Sequence, residues 1–415
     1  MSVGIKIPDI RIKGFNEEWV ERELGAVAEI KTGPFGSSLH AEAYIEYGHA
    51  IITTEHFKSG ELPVDKKGIP QVCDEDYLRL KAYLLKTGDI VFSRVGSVDI
   101  NAHVTDQQDG WLFSGRVLRV RSNDSIDSEY LHHELSTSRV RKSVVSKAVG
   151  QTMPSINTEI LKITPIHYPV DKTEQTAIGT YFQKLDNLIK HHQQKHDKLC
   201  NIKKAMLGKM FPKQGETIPE IRFKEFSGEW EEKELGELAE IVRGASPRPI
   251  EDPKWFDKSS NVGWLRIRDV TEQDGRIHFL EQRISKLGQE KTRVLFEPHL
   301  LLSIAASVGK PVINYIETGV HDGFLIFKKP RFELEFMYQW LKSFELEWQQ
   351  YGQPGSQVNL NSDIVKGQLV SIPSNEEQIA IGNYFQKLDA LINQHQQQIT
   401  KLNNIKQACL SKMFV

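Results

Sequence analysis

The sequence predicts an α+β chain: two mixed α/β modules separated by two long antiparallel coiled-coil helices, related as a pseudo-twofold internal repeat. Three observations predict it. Two opening segments match at one constant offset, two long helical segments match at another, and the stretches between them diverge almost completely. Internal repeats decide an architecture before any local propensity does.

The opening segments come first in the chain. IPDIRIKGFNEEWVERELGAVAEIKTG starts at Ile7, and IPEIRFKEFSGEWEEKELGELAEIVRG starts at Ile218. At an offset of 211, sixteen of the twenty-seven positions are identical, including Pro8 with Pro219, Phe15 with Phe226, Trp19 with Trp230 and Leu24-Gly25 with Leu235-Gly236. Trp19 and Trp230 read as core anchors of the shared frame rather than as groups that stack on a ligand.

The helical segments follow each module. EQTAIGTYFQKLDNLI from Glu174 returns as EQIAIGNYFQKLDALI from Glu377, and the offset of 203 holds to the KMF endings at Phe211 and Phe414. Ile178, Phe182, Leu185, Ile189, His192, His196, Leu199, Ile202, Met206 and Met210 recur at steps of three and four. Ile381, Phe385, Leu388, Ile392, His395, Ile399, Leu402, Ile405, Cys409 and Met413 repeat the pattern. Such spacing predicts a helical seam, with Ile178, Phe182, Leu185, Ile189 and Leu199 on one helix and Ile381, Phe385, Leu388, Ile392 and Leu402 on the other as the helix-pairing residues. Ser374 with Glu377 has the form of a capping box, Asp171 is the matching N-cap, and Pro212 is expected to end the first helix. The boundaries expected from this pattern are a first module over 1–170, a central helix over 171–213, a second module over 214–373 and a C-terminal helix over 374–415.

Within the modules, β-rich runs at 49–54, 89–95, 111–121, 262–270 and 299–308 are separated by turn residues. Amphipathic helices are expected over 128–148 and 333–351. Strand order does not follow from these runs.

Composition bounds the rest. The chain has 415 residues, 39% hydrophobic and 26% charged, with a formal net charge of -2, so any basic surface must be local. Cys73, Cys200 and Cys409 are far apart and form no CxxC pair, which suits a reducing cytoplasm and no cysteine-built metal site. The opening MSVGIKIPDI has no apolar h-region, and no run of about 18 apolar residues occurs. Neither secretion nor a membrane is expected.

Tests for chemistry return little. Pro8-Asp9 with Glu29-Ile30-Lys31 has the outline of a magnesium-dependent nuclease motif, but the second copy reads Pro219-Glu220 and Glu240-Ile241-Val242, without the lysine. His192 and His196 have metal-ligand spacing on a helix, whereas the second copy has His395 and Ile399, so they read as seam residues. No phosphate-cradling glycine loop, S-adenosylmethionine motif or base-methylating motif is present. Neither a catalytic residue nor a resident metal is expected.

The two EQxAIGxYFQKLDxLI helices, the KMF endings, GPFGSSLHAEAYIEYG from Gly33 and GWLRIRDV after Gly244 resemble the specificity subunits of type I restriction–modification systems over nearly the whole chain. The resemblance implies that each module is a target-recognition domain reading one half of a split, asymmetric duplex DNA sequence. It implies that the repeated helices set the spacing and dock two methyltransferase subunits, and that restriction/translocase subunits complete the complex. The chain itself would bind no cofactor; S-adenosylmethionine, Mg and ATP would sit on its partners.

Arginine reads guanine bidentately and lysine holds phosphates, while small hydroxyls serve either. On that basis the DNA-contacting candidates of the first module are Lys31, Ser37, Ser38, Thr53, Thr54, Arg94, Ser97 and Arg116. Those of the second are Arg243, Arg248, Arg266, Arg268, Ser303 and Lys310. A rough register sets Thr53 opposite Arg266 and Glu55 opposite Arg268. A stand-alone dual-module DNA-binding regulator and a magnesium-dependent nuclease are the other classes that the residues leave open.

Overall fold

A computed structural model describes residues 7–34, 39, 43–305, 308–351 and 360–415. By compactness the chain divides into two units, Met1–Gln193 with Gln397–Val415, and Gln194–Gln396.

In the first unit an antiparallel sheet has the order Ala28–Thr32, Val117–Ser122, Ile90–Ser93, Asn101–His103. A smaller sheet sets His49–Ile52 between Gln71–Val72 and Leu112–Phe113, the latter pair being parallel. Trp19–Glu23 pairs with Pro165–Pro169 as a separate ribbon. Ile90–Ser93 is apolar without alternation because both its faces are covered. Ile90 and Phe92 enter a core with Trp19, Tyr130, Ile178 and Phe182, and Val91 enters another with Ile52, Phe57 and Phe113.

The second unit repeats the plan. Its larger sheet has the order Glu240–Arg243, Phe324–Lys328, Leu300–Ser303, Pro311–Asn314, Arg276–Ile277. Gly263–Leu265 pairs in parallel with Thr318–Val320, which also pairs with Arg293–Leu295. Glu231–Glu234 and Leu369–Ile372 form the ribbon. Leu300 and Leu302 again enter one core while Leu301 enters another.

The long helices run over Lys172–Leu207 and Asn375–Lys412. Inside the first unit, Ile178, Phe182 and Leu185 share a core with Leu410, Met413 and Phe414, and Lys406 pairs with Asp186 at 2.5 Å. Inside the second, Ile381, Phe385 and Leu388 share a core with Met210 and Phe211, and Lys203 pairs with Asp389 at 2.5 Å. In each unit the start of one helix therefore lies antiparallel to the end of the other. Leu199 and Leu402 are half-buried against these cores. Ile189 and Ile392 are half-buried and lie outside both clusters.

Four local expectations are corrected. The helix expected over 128–148 is two helices, Ser128–Leu135 and Ser138–Lys147, because Thr137 caps the second by accepting from the Val140 amide. The run over 262–270 is strand only to Leu265; Ile267–Glu272 is helical, with Asp269 accepting from the Arg266 amide at 2.9 Å. The first long helix ends at Leu207, five residues before Pro212. Ser374 caps the second long helix, accepting from the Glu377 amide at 3.4 Å, and Asp171 accepts from Thr173 at the first. The return arm of the capping box does not form. Glu377 instead takes two 2.7 Å bonds from Arg222, and Glu174 takes two from Arg11.

Candidate nucleic-acid interface

One end of each larger sheet gathers most of the predicted residues. In the first unit the Gly33 amide donates to the Val117 carbonyl and the Ser114 amide to the Ile52 carbonyl. A Cβ at Gly33 would lie 2.1 Å from the Ser114 oxygen, so only glycine lets the strand end there. In the second unit Gly244 donates to Phe324, and a Cβ would lie 2.2 Å from the His321 oxygen. The frame is therefore common, and Ser114-Gly115-Arg116 occupies the place of His321-Asp322-Gly323.

The filling differs. Arg94 donates to the carbonyls of Gly115 at 2.9 Å and Ile156 at 3.3 Å and to the Thr32 hydroxyl at 3.4 Å. It ties three loops together and is a positioning group, not a free contact. Ser97 and Arg116 are exposed beside it. Thr53 and Thr54 are half-buried where strand His49–Ile52 ends, and the Thr53 amide donates to His56 Nδ1. Lys31 is turned away, with Nζ on the Ala82 carbonyl at 3.0 Å and over the Tyr83 ring at 5.0 Å. Ser37 and Ser38 lie outside the described residues.

In the second unit an acid stands at the centre. Arg243 donates to the Asp322 carbonyl at 2.6 Å, Arg248 pairs with its carboxylate at 2.7 Å, and the Ser246 hydroxyl donates to it at 2.9 Å. Burial opposes ionisation of Asp322, but the Ser246 bond and the neighbouring charges hold it below the usual carboxylate range. Arg266 is bound to Asp269 at 2.9 Å and approaches Glu281, which pairs with Arg268 at 2.9 Å. Arg266, Glu281, His321, Trp264 and Phe256 line a cleft of about 780 Å³. Lys310 is half-buried, with its amide on the Ser303 hydroxyl at 3.0 Å. Ser303 is fully buried, so its assignment as a DNA contact is corrected: the strand that carries it is covered on both faces.

The register of the two modules holds. Ile52 pairs with Phe113 and Leu265 with Val320, so Thr53 and Arg266 each follow the end of an equivalent strand and each cap a short helix. Sequence reasoning missed Asp322 and Glu281, the partners of Arg243, Arg248 and Arg268, and His321, which lies 3.1 Å from Asp322. These pairings join residues far apart in the chain or on different elements and leave no local signal. In the nuclease outline, Glu29 pairs with Arg119 at 2.8 Å, and Lys31 is engaged as described. Among the described residues no group of three His, Cys, Asp or Glu is arranged to hold a metal ion, and no helix is long and apolar enough to cross a membrane.

Comparisons with known proteins agree with this repeated frame. The type I restriction modification DNA specificity domain matches residues 16–201 and again 227–404. A candidate type I restriction enzyme specificity subunit, MjaX of Methanocaldococcus jannaschii, is 22% identical over 413 residues, covering 96% of this chain and 93% of that protein. The type I restriction enzyme MjaVIII specificity subunit of the same organism is 22% identical over 320 residues, covering 74% and 73%. Among solved structures, the S subunit of a type I restriction–modification system from M. genitalium aligns over 99% of both chains with a TM-score of 0.64 at 15% identity. A chain from a study of type I system assembly and conformational transition aligns over 95% of this chain and 97% of its own, with a TM-score of 0.53 at 17% identity. With two matched copies in one repeated frame, the chain belongs to the type I restriction modification DNA specificity family.

Proposed function

We propose that the chain is the DNA-reading subunit of a type I restriction–modification complex, with modules over 1–170 and 214–373 each reading one half of a split, asymmetric duplex sequence. The observation that supports it most is the common frame with two fillings. Thr53, Arg94 and Arg116 in one module stand where Arg266, Ile304 and Gly323 stand in the other. Reading two different half-sites requires that combination, because phosphate contacts can be shared but base contacts cannot. Arg116, Arg243, Arg248, Arg266 and Arg268 are the proposed contacts. Arg248 and Arg268 are themselves exposed, and the Arg268–Glu281 pair, exposed on both sides, is worth about 0–1 kcal/mol, so a phosphate or guanine can compete for these guanidiniums.

Catalysis is assigned to the partners: two methyltransferase subunits carrying S-adenosylmethionine, and restriction/translocase subunits using ATP and Mg. The chain alone leaves supercoiled DNA intact with Mg. The test is methylome mapping in a host carrying the chain and its methyltransferase, with Arg248→Ala and Arg268→Ala beside the unmodified protein. The expected result is a bipartite target whose second half relaxes by about 1–3 kcal/mol of discrimination per lost contact while the first half is unchanged. A continuous target, or relaxation of both halves together, overturns the reading.

A further inference from the structure

The joint between module and long helix is built differently in the two units. Gly179 and Gly382 are equivalent positions, and each lets the helix approach a short module helix at Glu129 and Glu335. Glu129, His132 and His133 therefore correspond to Glu335, Tyr338 and Gln339, and Asp186 corresponds to Asp389. In the second unit the carboxylates of Glu335 and Asp389 are bridged by Arg276, at 2.6 and 2.7 Å to the first and 3.2 Å to the second. Gln339 donates to Asp389 at 3.2 Å, Tyr315 donates to Glu335 at 2.7 Å, and Lys203 completes the set. Two anions meet two permanent cations.

In the first unit the bridging arginine is missing. Among the described residues, Glu129 and Asp186 meet one permanent cation, Lys406, and three imidazoles fill the rest, His133 buried and His103 and His132 half-buried. His133 Nε2 lies 3.9 Å from Glu129 and 4.0 Å from Asp186, and neither of its ring nitrogens has a hydrogen-bond partner. His132 meets Asn101 at 2.6 Å, and His103 meets Ser128 at 3.0 Å and Glu129 at 3.3 Å. Gln183 donates to Glu129 at 2.7 Å; among the described residues Asp89, Asp127, Arg141 and Glu61, the last paired with Lys190 at 3.6 Å, also face the cluster.

We propose that this histidine joint is an acid-sensitive catch: mild acid frees the first module from its long helix, while the arginine-bridged joint of the second stays closed. The catch regulates one half of the proposed reading surface. Its test is independent of DNA, so its failure is distinguishable from failure of the function proposed above.

The sign follows from burial. Burial pulls His133 down to about 3, with Lys406 and His103 adding to the effect, and pulls His103 down to about 4. Both are neutral when the joint is closed and take a proton near their ordinary value of about 6.5 when it is open. The histidines' contribution to the closed state is thus undiminished above about pH 6.5 and is lost as pH falls below it. At pH 5 each histidine shifts the balance toward the open state by about 30-fold. Glu129 and Asp186 are raised by burial and act in the opposite sense. Glu134, on the same module helix and held by Arg139, is pushed by burial up to about 7 and also opposes the histidines. A residue exchange is therefore needed to identify them.

The full chain carries its own pair of reporters. Trp19 packs at 6.3 Å on Phe414, which reaches His133 through Phe182, and Trp230 packs at 6.5 Å on Phe211 in the equivalent place. With 5-fluorotryptophan and fluorine NMR from pH 8 to pH 5, the Trp19 resonance should shift or broaden below pH 6.5 and the Trp230 resonance should not. His133→Gln, which installs the residue of the other copy, should move the transition to lower pH by cutting the response at pH 5 about 30-fold. His133→Asn serves if that variant shows no native Trp19 resonance at pH 8. A silent Trp19, equal responses from both tryptophans, or an unchanged midpoint in the folded variant overturns the proposal.

Discussion

Arg11 and Glu174 show how a single pair fastens a module to its helix. The carboxylate is 1% exposed and takes two 2.7 Å bonds from one guanidinium, and Arg222 does the same for Glu377. Removing the arginine strands a buried charge, which costs about 3–5 kcal/mol, whereas removing both partners leaves an apolar contact that can be nearly neutral. Arg11→Met should therefore lower the stability of the full chain by about that amount in urea unfolding, and Arg11→Met with Glu174→Leu should recover most of it; additive losses would show that the two do not act as a pair. This pair was legible in principle, because IPDIR and IPEIR repeat the arginine as the helices repeat the glutamate. Ser303 was not. The run LLLS gives no sign of which face is open, and the structure covers both. The contact of Lys31 was hidden for a related reason: nothing nearby in sequence announces Tyr83 as the ring it covers.

At the scale of elements, the long helices were the most legible part of the chain, since a three-four period sustained over 36 and 38 residues has no other reading. The short elements were less so. RIRDV looked like a strand because it is β-branched and alternating, yet Asp269 binds back to Arg266 and starts a helix there. The break at Thr137 is also a capping event that outweighs an amphipathic run. If the long helices measure the distance between half-sites, four residues inserted after Ile189 and four after Ile392 add about one turn, roughly 6 Å, to each. The mapped target should then keep both halves and widen its gap by about two base pairs at roughly 3.4 Å per step. An unchanged gap with modification retained would mean that the helices do not set it.

For the whole molecule, the repeat predicts what one copy can do alone. A fragment ending at Lys213 keeps the first module and first long helix but loses Leu410, Met413 and Phe414 from the core around Trp19, Tyr130 and Phe182. Its own Met210 and Phe211 are the equivalent residues and lack their usual surroundings of Trp230, Phe336 and Phe385. Two copies can satisfy each other, so the fragment should be dimeric at micromolar concentration by light scattering, with Phe211→Ala shifting it toward monomer. A monomeric fragment would reject the equivalence. The same helix-end arrangement imposes an order on synthesis. The second unit is one continuous stretch, Gln194–Gln396, and is synthesised before the segment Gln397–Val415 that belongs to the first. The first unit joins Met1–Gln193 to Gln397–Val415, so a module made before the second unit cannot close its core until Leu410, Met413 and Phe414 leave the exit tunnel. A stop codon placed between Gln397 and Leu410 would thus injure the core around Trp19 and Tyr130, from which it is separated by the whole of the second unit.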